Sequence, residues 1–96
     1  MSLLVFATIT ANPGQEEALK TAFHELIPLV RAEAACQLYE LYHSTENPTQ
    51  FIMHERWDDE AGLQAHSNMP HMKAFGEKAR ANGWLAKPAE LIRVPE

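Results

Sequence analysis

The residues with chemistry to offer crowd into one stretch of the chain, between Met53 and His71. Glu55 and Trp57 are two apart, which in a strand puts them on one face together with Phe51 and Met53. If that face looks toward the helices, a carboxylate sits among apolar and aromatic groups. His66 shares a helix face with Leu63 three residues earlier and so turns inward. His71 follows Pro70 in the first turn of the next helix, with Phe75 four residues on. Together Glu55, Trp57, His66 and His71 line a pocket between sheet and helices. A carboxylate and two imidazoles beside apolar walls are groups suited to general acid–base work. The plainer reading is that Glu55 and His66 form a buried hydrogen-bonded pair that only fixes the packing, and the residue types leave both open.

Other chemistries find little support. His54, Glu55, His66 and His71 are close in sequence, but His54 and Glu55 point to opposite faces of one strand. His66 and His71 are separated by a proline and lack the i, i+4 spacing that sets two ligands on one helix face, so no metal site is expected. His24 and His43 read as surface residues. Gly14, Gly62, Gly76 and Gly83 make neither a dinucleotide fingerprint nor a phosphate loop, and Ser44 and Ser67 stand in no triad context. No cofactor site is expected. Cys36 opens a strand and reads as an inert thiol; a single cysteine makes no internal disulfide.

The elements that must position these groups are well punctuated. Leu3–Ala11 is rich in β-branched and aromatic residues and suits a strand. Asn12-Pro13-Gly14-Gln15 reads as a helix start, with Asn12 as cap and Gln15 closing a box-like loop. Leu19, Ala22, Phe23, Leu26, Ile27 and Val30 then repeat at helical spacing. Pro28 should bend or break that helix. Cys36–His43 and Gln50–Trp57 are strands joined by the turn residues Glu46-Asn47-Pro48-Thr49, hence an antiparallel hairpin. Asp58 and Asp59 open a short helix over 60–68, Pro70 opens another over 70–82, and Gly83 stops it. Glu90–Val94 is the last strand. The order βαββαβ predicts one α+β domain over residues 1–96, a ferredoxin-like split βαβ fold with a four-stranded antiparallel sheet.

Two helical layers cannot be had from so short a chain, yet both sheet faces ask for cover. The first strand places Leu3, Val5, Ala7 and Ile9 on one side and Leu4 and Phe6 on the other, without the clean alternation of a sheet half in water. A second copy of the chain is the expected cover, which predicts a homodimer packed sheet to sheet. Thirteen acidic residues against eight Lys plus Arg, a net charge of -5 with no basic run, argue against nucleic acid. The longest apolar run near the start, Leu3–Ala7, is too short to cross a membrane, so a soluble protein of the reducing cytoplasm is expected.

The order Glu55-Arg56-Trp57, then Leu63-Gln64-Ala65-His66, then Pro70-His71-Met72-Lys73-Ala74-Phe75 resembles the antibiotic biosynthesis monooxygenase (ABM) domain family. Within it the chain looks most like small bacterial quinol monooxygenases, and Pro13-Gly14-Gln15 extends the likeness to the first helix. The resemblance implies a dimeric α+β barrel that oxidises quinols or polycyclic phenols to quinones with molecular oxygen, without flavin, haem or metal. It implies His66 or His71 as base, Glu55 orienting His66, and Trp57, Phe51, Met53 and Phe75 as the bed for a small aromatic substrate. The family also holds haem degraders, which carry an Asn on the first strand where this chain has Thr8 and Thr10. It holds an isomerase of a phosphorylated signalling sugar, for which only Arg56, Lys73 and Lys78 offer positive charge. A non-catalytic aromatic-ligand-binding or stress-response barrel is the remaining alternative.

Overall fold

The computed structural model describes residues 2–95. The chain runs β1 (Leu3–Thr10), α1 (Glu16–Arg31), β2 (Cys36–His43), β3 (Gln50–Trp57), α2 (Glu60–Ser67), α3 (Pro70–Asn82) and β4 (Glu90–Pro95). The strands form one antiparallel sheet in the order β2-β3-β1-β4, the ferredoxin-like arrangement expected from the element order. Among the described residues no helix is long and apolar enough to cross a membrane.

Local chemistry sets most of the boundaries. Asp59 caps α2 by accepting a 2.8 Å hydrogen bond from the Gly62 N–H. Pro70 opens α3, and Gly83 ends it in the left-handed conformation that glycine adopts without a Cβ clash. Two local expectations are corrected. Asn12 lies too far ahead of Glu16 to cap α1; its side-chain amide instead donates to the Gly83 and Leu85 carbonyls at 2.8 and 3.0 Å, tying the end of β1 to the segment after α3. Pro28 does not break α1, which continues to Arg31. Pro28 and His24 are both exposed, so water can serve the His24 carbonyl that the proline leaves without a donor.

The inner face of the sheet is the core. Leu3, Val5, Ala7 and Ile9 of β1, Tyr39 of β2, and Phe51, Met53, Glu55 and Trp57 of β3 are all buried there. They pack against Leu19, Phe23, Leu26, Ile27 and Val30, the predicted stripe of α1. Register places Glu55 between Val5 on β1 and Tyr39 on β2, in the middle of the sheet. The outer face carries Leu4, Phe6, Ile52 and His54, with His54 stacked on Phe6 at 4.9 Å and near Tyr42 at 6.1 Å. Tyr42, Ile92 and Val94 are 53%, 54% and 40% exposed, an apolar patch without cover from this chain.

The turn between α1 and β2 is pinned by its neighbours. The Ala35 carbonyl accepts from the Asp58 N–H at 3.0 Å, and Cys36 N–H donates to the Glu33 carbonyl at 3.1 Å. Helix α2 crosses this turn so closely that a Cβ on Gly62 would lie 2.5 Å from the Ala35 Cβ. Glycine is therefore required for a close approach, although Gly62 sits inside a helix, where alanine is ordinarily better by up to about 1 kcal/mol. Gly62→Ala is expected to destabilise by about 1–3 kcal/mol through overpacking, read as a lower urea midpoint. Adding Ala35→Gly should recover most of that loss; a stabilised Gly62→Ala protein would contradict the close approach.

Candidate functional site

A cavity of about 300 Å³ opens between the inner face of the sheet and the helices. Ala7, Ile9, Phe23, Leu26, Met53, Leu63, Met72, Phe75, Leu85 and Leu91 give it an apolar wall. Tyr39, Glu55, His66 and Ser67 are the polar side chains on that wall, and no Lys or Arg contributes to it. A mostly apolar cleft with a few convergent polar groups is the usual form of a small-molecule site.

Glu55 is 4% exposed and accepts a 2.9 Å hydrogen bond from the indole Nε1–H of Trp57, its neighbour on the same strand face. Burial pushes its carboxyl up to about 7, helped by the charge of Glu33 and opposed by the Trp57 hydrogen bond. Near neutral pH a substantial share of Glu55 thus keeps its proton and can donate to an oxygen in the cavity. The Tyr39 phenol, directly across from Glu55, is pushed far above its ordinary value by burial and by the charges of Glu55 and Glu33, so it stays protonated.

His66 does not pair with Glu55. Its Nδ1 lies 2.9 Å from Oε2 of Glu33, a residue of the turn between α1 and β2, and His71 Nε2 lies 2.7 Å from the same oxygen. Glu55 stands on the central strand β3 with its carboxylate already engaged by Trp57, whereas the α1–β2 turn brings Glu33 directly against α2 and α3. The expected Glu55–His66 pair, whether catalytic or merely packed, is therefore corrected to a His66–Glu33–His71 cluster. A carboxylate only accepts, so both rings present N–H to it. The Glu33 side chain is 4% exposed, His66 6% and His71 19%. The rings of Tyr39 and Trp57 enclose the His66 imidazole at 5.8 and 4.5 Å.

The other sequence-selected residues divide between the cavity and the packing behind it. Met53 and Phe75 reach the cavity wall. Phe51 and Trp57 are fully buried, Phe51 stacked on His43 at 4.0 Å and Trp57 behind His66 and Glu55. His71 does not line this cavity; it faces a second concavity of about 440 Å³ on the outer side of α1 and α3, with Leu29, Lys78 and Trp84. Cys36 is half-buried, and burial together with the charges of Glu33 and Glu55 raises its thiol, in keeping with an unreactive group. Two site residues escaped sequence reasoning. Tyr39 was seen only as part of a strand. Glu33 left one usable trace, a lone charge among alanines in Ala32-Glu33-Ala34-Ala35.

Glu33, His66 and His71 are also the group, among the described residues, whose donor atoms lie close enough to hold a metal ion, all within 4.8 Å of one another. Both imidazole N–H groups are already spent on one carboxylate oxygen at hydrogen-bond length, so the cluster is satisfied as a hydrogen-bonded unit.

The sequence pattern of the family described as "Antibiotic biosynthesis monooxygenase" matches residues 2–78, which contain the whole cavity-lining stretch of β3, α2 and α3 up to Phe75. The chain belongs to the antibiotic biosynthesis monooxygenase family. It is 31% identical to a protein of Escherichia coli K12 named "Probable quinol monooxygenase YgiN", over 83% of this chain and 86% of that one. Among solved structures, PA3566 from Pseudomonas aeruginosa superposes with a TM-score of 0.90 at 34% identity, covering 99% of this chain and 93% of the other. Rv0793 from Mycobacterium tuberculosis, at 24% identity and a TM-score of 0.86, shares the fold over 100% of this chain and 95% of its own.

For this family member the neutral carboxyl at the centre of the sheet has a measurable signature. The folded state holds the Glu55 proton more tightly than the unfolded chain, whose ordinary value is 4.5. The stability gained from that proton is complete below about pH 4.5 and is lost as the pH rises through about 7. Glu55→Gln, neutral throughout, should remove this part of the slope. It should exceed the wild type in unfolding free energy above pH 7 by on the order of 3 kcal/mol, measured by urea unfolding across pH. Parallel curves for the two proteins would show that Glu55 is not protonated by burial.

Proposed function

We propose that the protein is a cofactor-independent monooxygenase that oxidises a quinol or polycyclic phenol to a quinone with molecular oxygen, working as a homodimer in the cytoplasm. The observation that carries this reading is the apolar cavity with His66 and Glu55 on its wall, of a size that suits a small fused-ring aromatic. The name of the E. coli relative supports the same reaction class. The absence of Lys and Arg from the cavity wall counts against a phosphorylated sugar as substrate.

The chemistry asks little beyond what the wall supplies. His66, through the nitrogen not engaged by Glu33, takes the phenolic proton. The electron-rich phenolate passes an electron to oxygen, and a bond forms between oxygen and a ring carbon. The proton held by His66 returns to the new peroxide. Loss of the ring C–H proton then expels the outer oxygen, which leaves as water while the inner one remains in the quinone. Glu55 and Tyr39, both able to donate, hold the charge that develops on the substrate oxygen. Met53 and Phe75 contribute the apolar bed, and Trp57 and Phe51 support it from behind.

The outer face of the sheet supports the homodimer. Phe6, His54 and Tyr42 form a continuous stack there, flanked by exposed Ile92 and Val94. An exposed apolar face of this kind suits a two-fold pairing of sheets.

Oxygen-electrode assays with reduced naphthoquinols are expected to show uptake faster than autoxidation, with His66→Ala slower by on the order of 10²-fold or more. Tight binding of an aromatic ligand with no added oxygen uptake for any quinol would favour a binding module instead. Equilibrium sedimentation at micromolar protein should give twice the 10.8 kDa chain mass; Tyr42→Lys with Ile92→Lys should shift it to monomer. A wild-type monomer would rule out the dimer.

A further inference from the structure

His66 and His71 share one buried carboxylate but line different cavities. His66 is on the wall of the inner cavity and His71 on the wall of the outer concavity. Both meet the same oxygen, Oε2 of Glu33, at 2.9 and 2.7 Å. An imidazole has two ring nitrogens, and a base must present a lone pair to its substrate. With Nδ1–H directed at Glu33, the neutral ring of His66 keeps its lone pair on Nε2. That nitrogen makes no hydrogen bond among the described residues. Among them, no side-chain nitrogen or oxygen cut off from open space goes without a partner. Nε2 is therefore the ring nitrogen of His66 left to accept from a group in the cavity that this residue lines.

We propose that Glu33 is the positioning residue of the His66 base, and that His71 holds Glu33 in place from the outer side. Glu33 selects the tautomer of His66 and fixes the ring's direction. When His66 takes a proton, the carboxylate faces the imidazolium directly and stabilises it. His71 shares Oε2 and keeps it aimed between the two helices. Without that second donor the carboxylate would be free to turn on its own side-chain torsions. The turn that carries Glu33 is itself clamped by α2 through the close approach of Gly62 to Ala35. The charge of Glu33 is also felt by Cys36, Tyr39 and Glu55, besides His66 and His71, which touch it directly.

The proposal rests on the monooxygenase reading for its kinetic consequence, but the tautomer of His66 can be read without turnover. Nitrogen-15 NMR of the neutral His66 ring should show the Nδ1–H form in the wild type and in Glu33→Asp. Glu33→Leu, which removes the acceptor, should show a mixed or Nε2–H form. With a naphthoquinol, Glu33→Leu should lower kcat by on the order of 10²–10⁴-fold while KM stays within about threefold. Glu33→Asp should recover at least tenfold of that loss, and His71→Phe should lower kcat by about tenfold. An unchanged His66 tautomer in Glu33→Leu overturns the proposal. So does a kcat equal to wild type in an active Glu33→Leu enzyme, and in that case the monooxygenase reading survives. If the wild type oxidises no quinol while the tautomer still follows residue 33, the monooxygenase reading fails and the positioning of His66 by Glu33 stands.

Discussion

A carboxylate taken out of water must find donors or give up its charge, and Glu33 finds two. One oxygen accepts from His66 and His71, so a single residue in a short turn joins α1, β2, α2 and α3. Removing either imidazole would leave the buried charge under-satisfied, at a cost that buried ion pairs make large. The break at Pro70, set by the proline itself, is what allows both imidazoles to reach that oxygen. One continuous helix would carry residues 66 and 71 on different faces, whereas two helices meeting at an angle can turn both rings onto one atom.

The site contains a second buried acid that meets the same difficulty differently. Glu55 has one donor, the Trp57 indole, and sits among Val5, Tyr39 and Met53. One neutral donor does not offset desolvation, so Glu55 holds its proton to about pH 7. Two carboxyl groups thereby take different roles, one engaged by two imidazoles and the other a proton donor on the cavity wall. The separation arises from placement alone: a turn between helices for Glu33, the central strand of the sheet for Glu55.

Much of this was legible before any coordinates. The period-3.6 stripe of α1 names the residues that the helix buries, while the period of two sorts the side chains of β1 and β3 onto two sides without saying which side is the inner one. Pro70 and Gly83 marked helix boundaries for reasons that lie within one residue's own backbone. Asn12 and Pro28 depart from what their local sequence suggests because their outcomes depend on what surrounds them. The Asn12 amide finds carbonyls more than seventy residues away, and Pro28 falls on an exposed side, open to water that can take the place of its missing bond. Within the site, the stretch from Glu55 to Phe75 was recognisable as a motif, yet its wiring was not. Glu33 lies far from that stretch in sequence, and its one local trace, a lone charge among alanines, does not say which groups it will meet.

The sequence by itself therefore determined the elements, the two sets of side chains on each strand, the presence of two histidines and a carboxyl near one apolar space, and the resemblance to a family. These are set by short-range periodicity and by residue types, which the chain carries openly. Only the tertiary structure decided which carboxyl meets the histidines, which histidine faces the cavity, and which aromatic rings line it rather than support it. Those outcomes hang on where a turn lands against two helices and on how desolvation is shared among neighbours. Hydrogen-bond partners are chosen by distance in space, and distance in space is the quantity that a linear pattern does not contain.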